Sequence, residues 1–146
     1  MDKIEIRIIS PEETHDIRHE VLRKGQDRST VIYSEDSMPG SFHMGIFHKG
    51  EHMGIASFYP ENHPNIPMNF FRLRGMASRE NVQGKGFGSL LIQASMKEII
   101  ERNGKGIWCN ARTSASKFYS KHKFERVDEE FDIAGIGPHY LMKLDL

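Results

Sequence analysis

Gln83-Gly84-Lys85-Gly86-Phe87-Gly88 is the stretch on which the reading of this chain turns. It follows a strand-like run, Phe70-Phe71-Arg72-Leu73-Arg74-Gly75-Met76-Ala77-Ser78, and opens an amphipathic helix from Phe87 to about Asn103. A glycine-rich turn at a helix N-terminus offers backbone N–H groups and the positive end of the helix dipole. That combination binds phosphate or pyrophosphate. Glycine also lets the backbone come close to an anion where a Cβ would stand in the way. A dinucleotide fingerprint would need a third glycine at 89, where the chain has Ser89. A P-loop would need Ser or Thr after Lys85, where it has Gly86. The remaining pattern is Q-x-x-G-x-G between strand and helix. A plain flexible connector would carry the same glycines, so the flanks decide.

The flanks alternate strands and helices. Ile4, Ile6 and Ile8 alternate with Glu5, Arg7 and Ile9 as in a strand. Ser10-Pro11-Glu12-Glu13 reads as a helix start, with a capping Ser, Pro at the first position and acids at the positive dipole end. Ile17, Val21 and Leu22 give that helix one apolar face, ending near Gly25; residues 26–40 are polar and irregular. Strands are expected over 41–47 and 53–59, joined by Lys49-Gly50-Glu51. A proline-rich loop over 60–67 leads to the strand at 69–78. In the helix after the glycine loop, Phe87, Leu90, Leu91 and Ala94 share a face, and Asn103-Gly104 ends it. A strand over 106–111 follows, then a short helix capped by Thr113 or Ser114, then strands over 124–133 and 138–145. This order predicts an α+β (mixed α/β) fold, a mixed sheet with helices on both faces.

The chain has 146 residues, suited to a single domain over 1–146 with a sizeable core. Lys and Arg number 20, as do Asp and Glu, so nothing points to nucleic acid or a membrane surface. Lone Cys109 excludes an intramolecular disulfide and fits a reducing compartment. Met1 to Arg7 contains no apolar leader and no run approaches membrane-spanning length, so a cytoplasmic location is expected.

From Leu73 to Phe124 the residues resemble the GNAT superfamily of acyl-CoA-dependent N-acyltransferases. Met76-Ala77-Ser78-Arg79-Glu80-Asn81-Val82-Gln83-Gly84-Lys85-Gly86-Phe87-Gly88-Ser89-Leu90-Leu91 is similar to the family's strand–loop–helix signature. Asn110, then Ala115, Phe118-Tyr119 and Phe124, resembles its second motif, with Lys123 where the family's pattern has Gly. Val21 to Gln26 and Gly135 to His139 faintly resemble a small bacterial branch, the ElaA-like proteins. The resemblance implies a mostly antiparallel sheet with a V-shaped splay between the strands at 69–78 and 106–112.

It also implies acetyl-CoA as co-substrate, no metal, and transfer of acetyl to a primary amine of a small molecule or peptide. Carried over residue by residue, Met76, Ala77 and Ser78 would offer main-chain groups to the pantetheine arm and thioester. Gln83, Gly84, Lys85, Gly86, Phe87, Gly88 and Ser89 would hold the pyrophosphate through their amides. Asn110 would hydrogen-bond the arm, and Tyr119 would serve the leaving sulfur as general acid. Taken on its own stripe of the helix, Tyr119 is equally a core aromatic. Aminolysis of a thioester needs a deprotonated amine, a donor for the oxyanion and help for the thiolate, but no protein nucleophile. The strand at 69–78 has no Asp or Glu, so Glu80 is the candidate base, with Glu61, Glu129, Glu130 and His139 as others. His15 and His19 stand four apart on the first helix like a zinc pair, without an evident third ligand. A non-catalytic acyl-CoA-sensing module of the same fold is the rival reading, and a homodimer is left open.

Overall fold

The computed structural model describes residues 3–146; Met1 and Asp2, the start of the stretch read for a leader, lie outside them. The described residues form a mixed α+β structure with an eight-stranded, mostly antiparallel sheet and three α-helices. They fall into two compact units, residues 3–60 with 73–95, and residues 61–72 with 96–146.

In the first unit β1 (Ile4–Ile9), β2 (Phe42–His48) and β3 (Glu51–Tyr59) form an antiparallel meander. Lys49 and Gly50 both take left-handed φ, 52° and 81°, the two-residue turn that matches strand twist. On one face of β3 lie Ile55, Ser57 and Tyr59; Gly54, Ala56 and Phe58 lie on the other. Ile55 joins Ile9, Ile17, Phe47 and Ala77 in a buried cluster. Burying each large member is worth about 1.5–3 kcal/mol. On the opposite face a Cβ at Gly54 would come within 3.3 Å of Leu91, so the next helix packs closely there.

The Ser10 start is a reciprocal capping box: Glu13 N–H reaches Ser10 Oγ at 3.3 Å and Ser10 N–H reaches Glu13 Oε1 at 3.0 Å. The regular helix expected to Gly25 is shorter. A tight turn at Glu12–Thr14 precedes α1 (His15–Ile17), and the chain then widens so that Arg23 N–H donates five residues back to Arg18 C=O. Such widened turns lie preferentially at functional positions. Residues 26–40 hold two short turns, Arg28–Val31 and Ser34–Ser37.

β4 (Phe70–Ser78) begins in the second unit and ends in the first. Within the second unit Phe70, Phe71 and Arg72 run parallel to Gly106, Ile107 and Trp108 of β5 (Gly106–Arg112). β5 pairs antiparallel with β8 (Gly137–Asp145), which also carries β6 (Glu125–Arg126) and β7 (Phe131–Ile133). The continuous strand expected over 124–133 is therefore two pieces. The acidic run between them has poor strand propensity. Glu129 N–H turns onto Asp128 Oδ1, and Glu130 accepts the Thr113 hydroxyl.

α2 (Phe87–Glu101) starts in the first unit and ends in the second. Asn103, at φ 64°, closes it: Gly104 N–H reaches Ile99 C=O and Asn103 N–H reaches Ile100 C=O. α3 (Ser116–Lys121) follows a tight turn at Thr113–Ala115. Neither Thr113 nor Ser114 caps it as expected; Ser116 Oγ donates to Thr113 C=O instead. Lys123 ends α3 at φ 74°, with Phe124 N–H on Tyr119 C=O and Lys123 N–H on Ser120 C=O. The position whose family pattern has Gly is thus a left-handed one, which Lys occupies at a strain of about 1–2 kcal/mol.

Candidate functional site

The glycine loop is built for backbone contact. Gly84 and Gly86 take φ of 78° and 85°, and a Cβ at either would meet no protein atom within 4 Å. Leu90 N–H donates to Gly86 C=O, which makes Gly86 the cap of α2 and leaves the amides of Phe87 and Gly88 without intrahelical acceptors. Within the loop Gln83 N–H donates to Glu80 C=O and Lys85 N–H to Val82 C=O. The Gln83 carboxamide ties the loop to the end of β4 by donating to Ser78 C=O at 2.9 Å. So Gln83 holds the loop in place with its side chain.

Both loop glycines sit where an L side chain is strained by about 1–2 kcal/mol. Gly86→Val should therefore fold but bind CoA at least about tenfold more weakly, the strain and the blocked approach acting together. Calorimetric titration of the folded variant checks this; unchanged affinity would remove the loop from the site.

On β4, Ala77 is buried and Met76 and Ser78 are partly exposed. Gly75, just before them, has φ 65°. A left-handed glycine inside a strand marks a bulge, a feature found by preference beside active sites. Glu80 is exposed and opens the turn Glu80–Val82.

In the second unit Asn110 sits on β5 opposite Leu141, partly exposed. Tyr119 is partly buried on α3, edge-on to Phe124 at 5.2 Å and Phe118 at 5.3 Å. Desolvation, with the nearby Cys109 adding to it, raises its phenol well above the usual range. Burial likewise pushes the Cys109 thiol up to about 12, which makes it inert as a nucleophile. The other base candidates are dispersed. Glu61 pairs with Arg72 at 3.0 Å near the start of β4. Glu129 and Glu130 line a shallow cleft with Arg126, Asp128 and Tyr140. His139 is buried, its Nδ1 2.8 Å from Gly137 C=O.

Among the described residues, no three His, Cys, Asp or Glu side chains gather into a metal-binding group. His19 Nε2 lies 2.9 Å from Gln26 C=O. Among the same residues no helix is long and apolar enough to cross a membrane.

Sequence reasoning passed over a polar network in the first unit. Arg18 is fully buried and donates to Val31 C=O at 2.8 Å, to both Asp36 oxygens at 2.7 and 3.0 Å, and to Ser57 Oγ at 3.0 Å. Tyr59 also donates to Asp36 at 2.7 Å. Desolvation works to raise the Asp36 carboxyl, but the bonds from Arg18 and Tyr59 outweigh it and hold it below the carboxylate range. Arg74 of β4 pairs with Glu35. The available signal was Tyr33-Ser34-Glu35-Asp36, an aromatic beside two acids in a polar loop.

β4, the glycine-rich loop at the start of α2, β5 and the tyrosine-bearing α3 follow one another in the order the sequence predicts. The family model of the GNAT acetyltransferase domain matches residues 13–146, and the chain belongs to that family of enzymes. It is 39% identical over 140 residues to the uncharacterized N-acetyltransferase YitI of Bacillus subtilis (strain 168), covering 95% of this chain and 94% of that one. Its fold is similar to that of Escherichia coli ElaA (TM-score 0.74, 15% identity, 97% of this chain and 99% of that one). It is likewise similar to an aminoglycoside 6'-N-acetyltransferase complexed with coenzyme A (TM-score 0.75, 13% identity, 97% and 96%).

Proposed function

We propose that the protein transfers acetyl directly from acetyl-CoA to a primary amine, in the cytoplasm, with residues 1–146 acting as one catalytic domain. The observation that carries this reading is the glycine loop, with left-handed Gly84 and Gly86 ahead of the amides that open α2. A diphosphate takes the amides of Gly84, Gly86, Phe87 and Gly88. The amide-bearing arm pairs with the Met76–Ser78 backbone as an added strand would, and Asn110 holds it from β5. A backbone N–H at Met76 or Ala77 supports the oxyanion. In the reaction the amine lone pair forms the C–N bond while the carbonyl pair moves to oxygen. When that pair returns, the C–S bond breaks and the CoA thiolate leaves. The surplus proton on nitrogen passes to water, and the thiolate takes one up. Burial of Cys109 fits a route without an acyl-enzyme.

The test begins with stability. A ligand that binds only the folded state adds about 2.7 kcal/mol at a hundredfold excess over its dissociation constant. Acetyl-CoA should raise the melting temperature, and NAD or ATP much less. Transfer is then followed by thiol release across a panel of small amines, amino acids and peptide N-termini. Equal stabilisation by NAD, or acetyl-CoA binding with no thiol release from any amine, would overturn the reading.

A further inference from the structure

Taking direct acetyl transfer as the activity, we propose that Tyr33 meets the acceptor amine, its hydroxyl accepting a hydrogen bond from the amine N–H as nitrogen attacks the thioester. Tyr33 lies between the turns Arg28–Val31 and Ser34–Ser37, in the segment that sequence alone leaves featureless. Its ring is 6% exposed and is directed at the bulge of β4. A Cβ built on Gly75 would stand 3.2 Å from Tyr33 Cε2 and 3.7 Å from Tyr33 Oη. Gly75 immediately precedes Met76, whose backbone the transfer reading places at the thioester. Met76 Cα is one step, about 3.8 Å, beyond Gly75 Cα, so the hydroxyl lies beside the stretch of backbone assigned to the thioester.

The direction of approach is right for an acceptor. Arg18, which lies against the Tyr33 ring, reaches Ser57 and Tyr59, on one face of β3. Leu91 of α2 packs over Gly54, on the other. Tyr33 and the helix that takes the diphosphate are therefore on opposite faces of the sheet. In direct transfer the nucleophile must come to the carbonyl from a side the donor does not fill.

The ring is also held firmly. The Arg18 guanidinium lies 3.9 Å from its centroid and that of Arg74 4.1 Å, with Arg23 at 5.7 Å. Arg18 is fixed by Asp36 and Arg74 by Glu35. The two guanidinium groups nearest the ring are thus each paired with a carboxylate, which fixes the ring in a largely neutralised setting. An N–H directed at Tyr33 Oη points the nitrogen lone pair away from the ring and toward the carbonyl; the phenol itself ends the cycle with the proton it began with.

Tyr33→Phe keeps the ring and its stacking and deletes only the hydroxyl. A hydrogen bond to a nitrogen that becomes charged during attack is worth about 1.5–3 kcal/mol, or roughly 10- to 100-fold. The expected result is a loss of that size in kcat/KM for the best amine of the panel, with CoA affinity and melting temperature unchanged. A structural role would instead lower CoA affinity or stability in parallel, and equal amine kinetics would also overturn the proposal. A second readout needs no acceptor. With tyrosine labelled at 13Cζ and backbone 15N, saturating acetyl-CoA should shift the Tyr33 signal (assigned by its loss in Tyr33→Phe) together with the amides of Gly84 to Gly88. A still Tyr33 with moving loop amides overturns its role and leaves the transfer reading standing. Still loop amides overturn the transfer reading, and this role with it.

Discussion

Replacing Arg18 by Leu should cost about 3–5 kcal/mol, the usual loss when one partner of a buried ion pair is removed. Arg18 has no exposed side-chain surface, and its partner Asp36 retains 10%. The substitution leaves Val31 C=O without its donor, Ser57 Oγ with His43 Nδ1 at 2.7 Å, and Asp36 with the Tyr59 hydroxyl at 2.7 Å and His43 Nε2 at 3.8 Å. It also removes one of the two closest guanidinium groups on the Tyr33 ring. Against a typical total of about 5–15 kcal/mol, that is a large share of the stability. Lys in the same place supplies a point charge but no fork for the two Asp36 oxygens, and should recover little. Arg18→Leu with Asp36→Leu removes both charges and should recover much of the loss, since well-packed apolar replacements of buried pairs are often tolerated. Urea unfolding at constant m-value measures all three. A loss below about 1 kcal/mol for Arg18→Leu would mean the pair behaves like a surface one.

The contrast between this network and the glycine loop shows what the sequence carries. The loop is local: Gln83 to Ser89 sit next to the strand and helix they join, and those flanks decide how its two glycines read. Strand and helix periodicity likewise placed β2, β3, β5 and α2 to within a few residues, because burial of alternate residues is a short-range pattern. What sequence could not show is pairing at a distance. Arg18 meets Ser57 across 39 positions, and Arg74 meets Glu35 across the same separation. Each alone reads as an ordinary surface charge. The widened turn at Arg18 has the same origin, since tertiary contacts override local propensity there, whereas the break between β6 and β7 is local and follows the acidic run. Lys123 is the reverse case: the family pattern flagged the position, and its φ of 74° gives the physical reason for the glycine expected there.

Tyr119→Phe should lower turnover by about 10- to 10³-fold, the span from one hydrogen bond to a charged group up to one donor lost from a desolvated site. The substitution is clean because the ring is fixed independently of its hydroxyl. Tyr119 C=O receives Phe124 N–H at 3.1 Å across the end of α3, and the two rings pack edge-on at 5.2 Å. The raised phenol pKa keeps the hydroxyl neutral and donating across the working range. It also decides how the residue acts. A thiol such as that of CoA ionises near ~8.5, so full proton transfer from this phenol to the leaving thiolate runs uphill. On the transfer reading proposed above, Tyr119 would stabilise the departing sulfur by donating a hydrogen bond, and water would supply the proton. Such a bond strengthens as charge builds on sulfur, so its loss should fall on kcat and leave CoA affinity nearly unchanged. Single-turnover kinetics with saturating acetyl-CoA and amine separate the chemical step from product release. Wild-type rates in that measurement would make Tyr119 a core aromatic and nothing more.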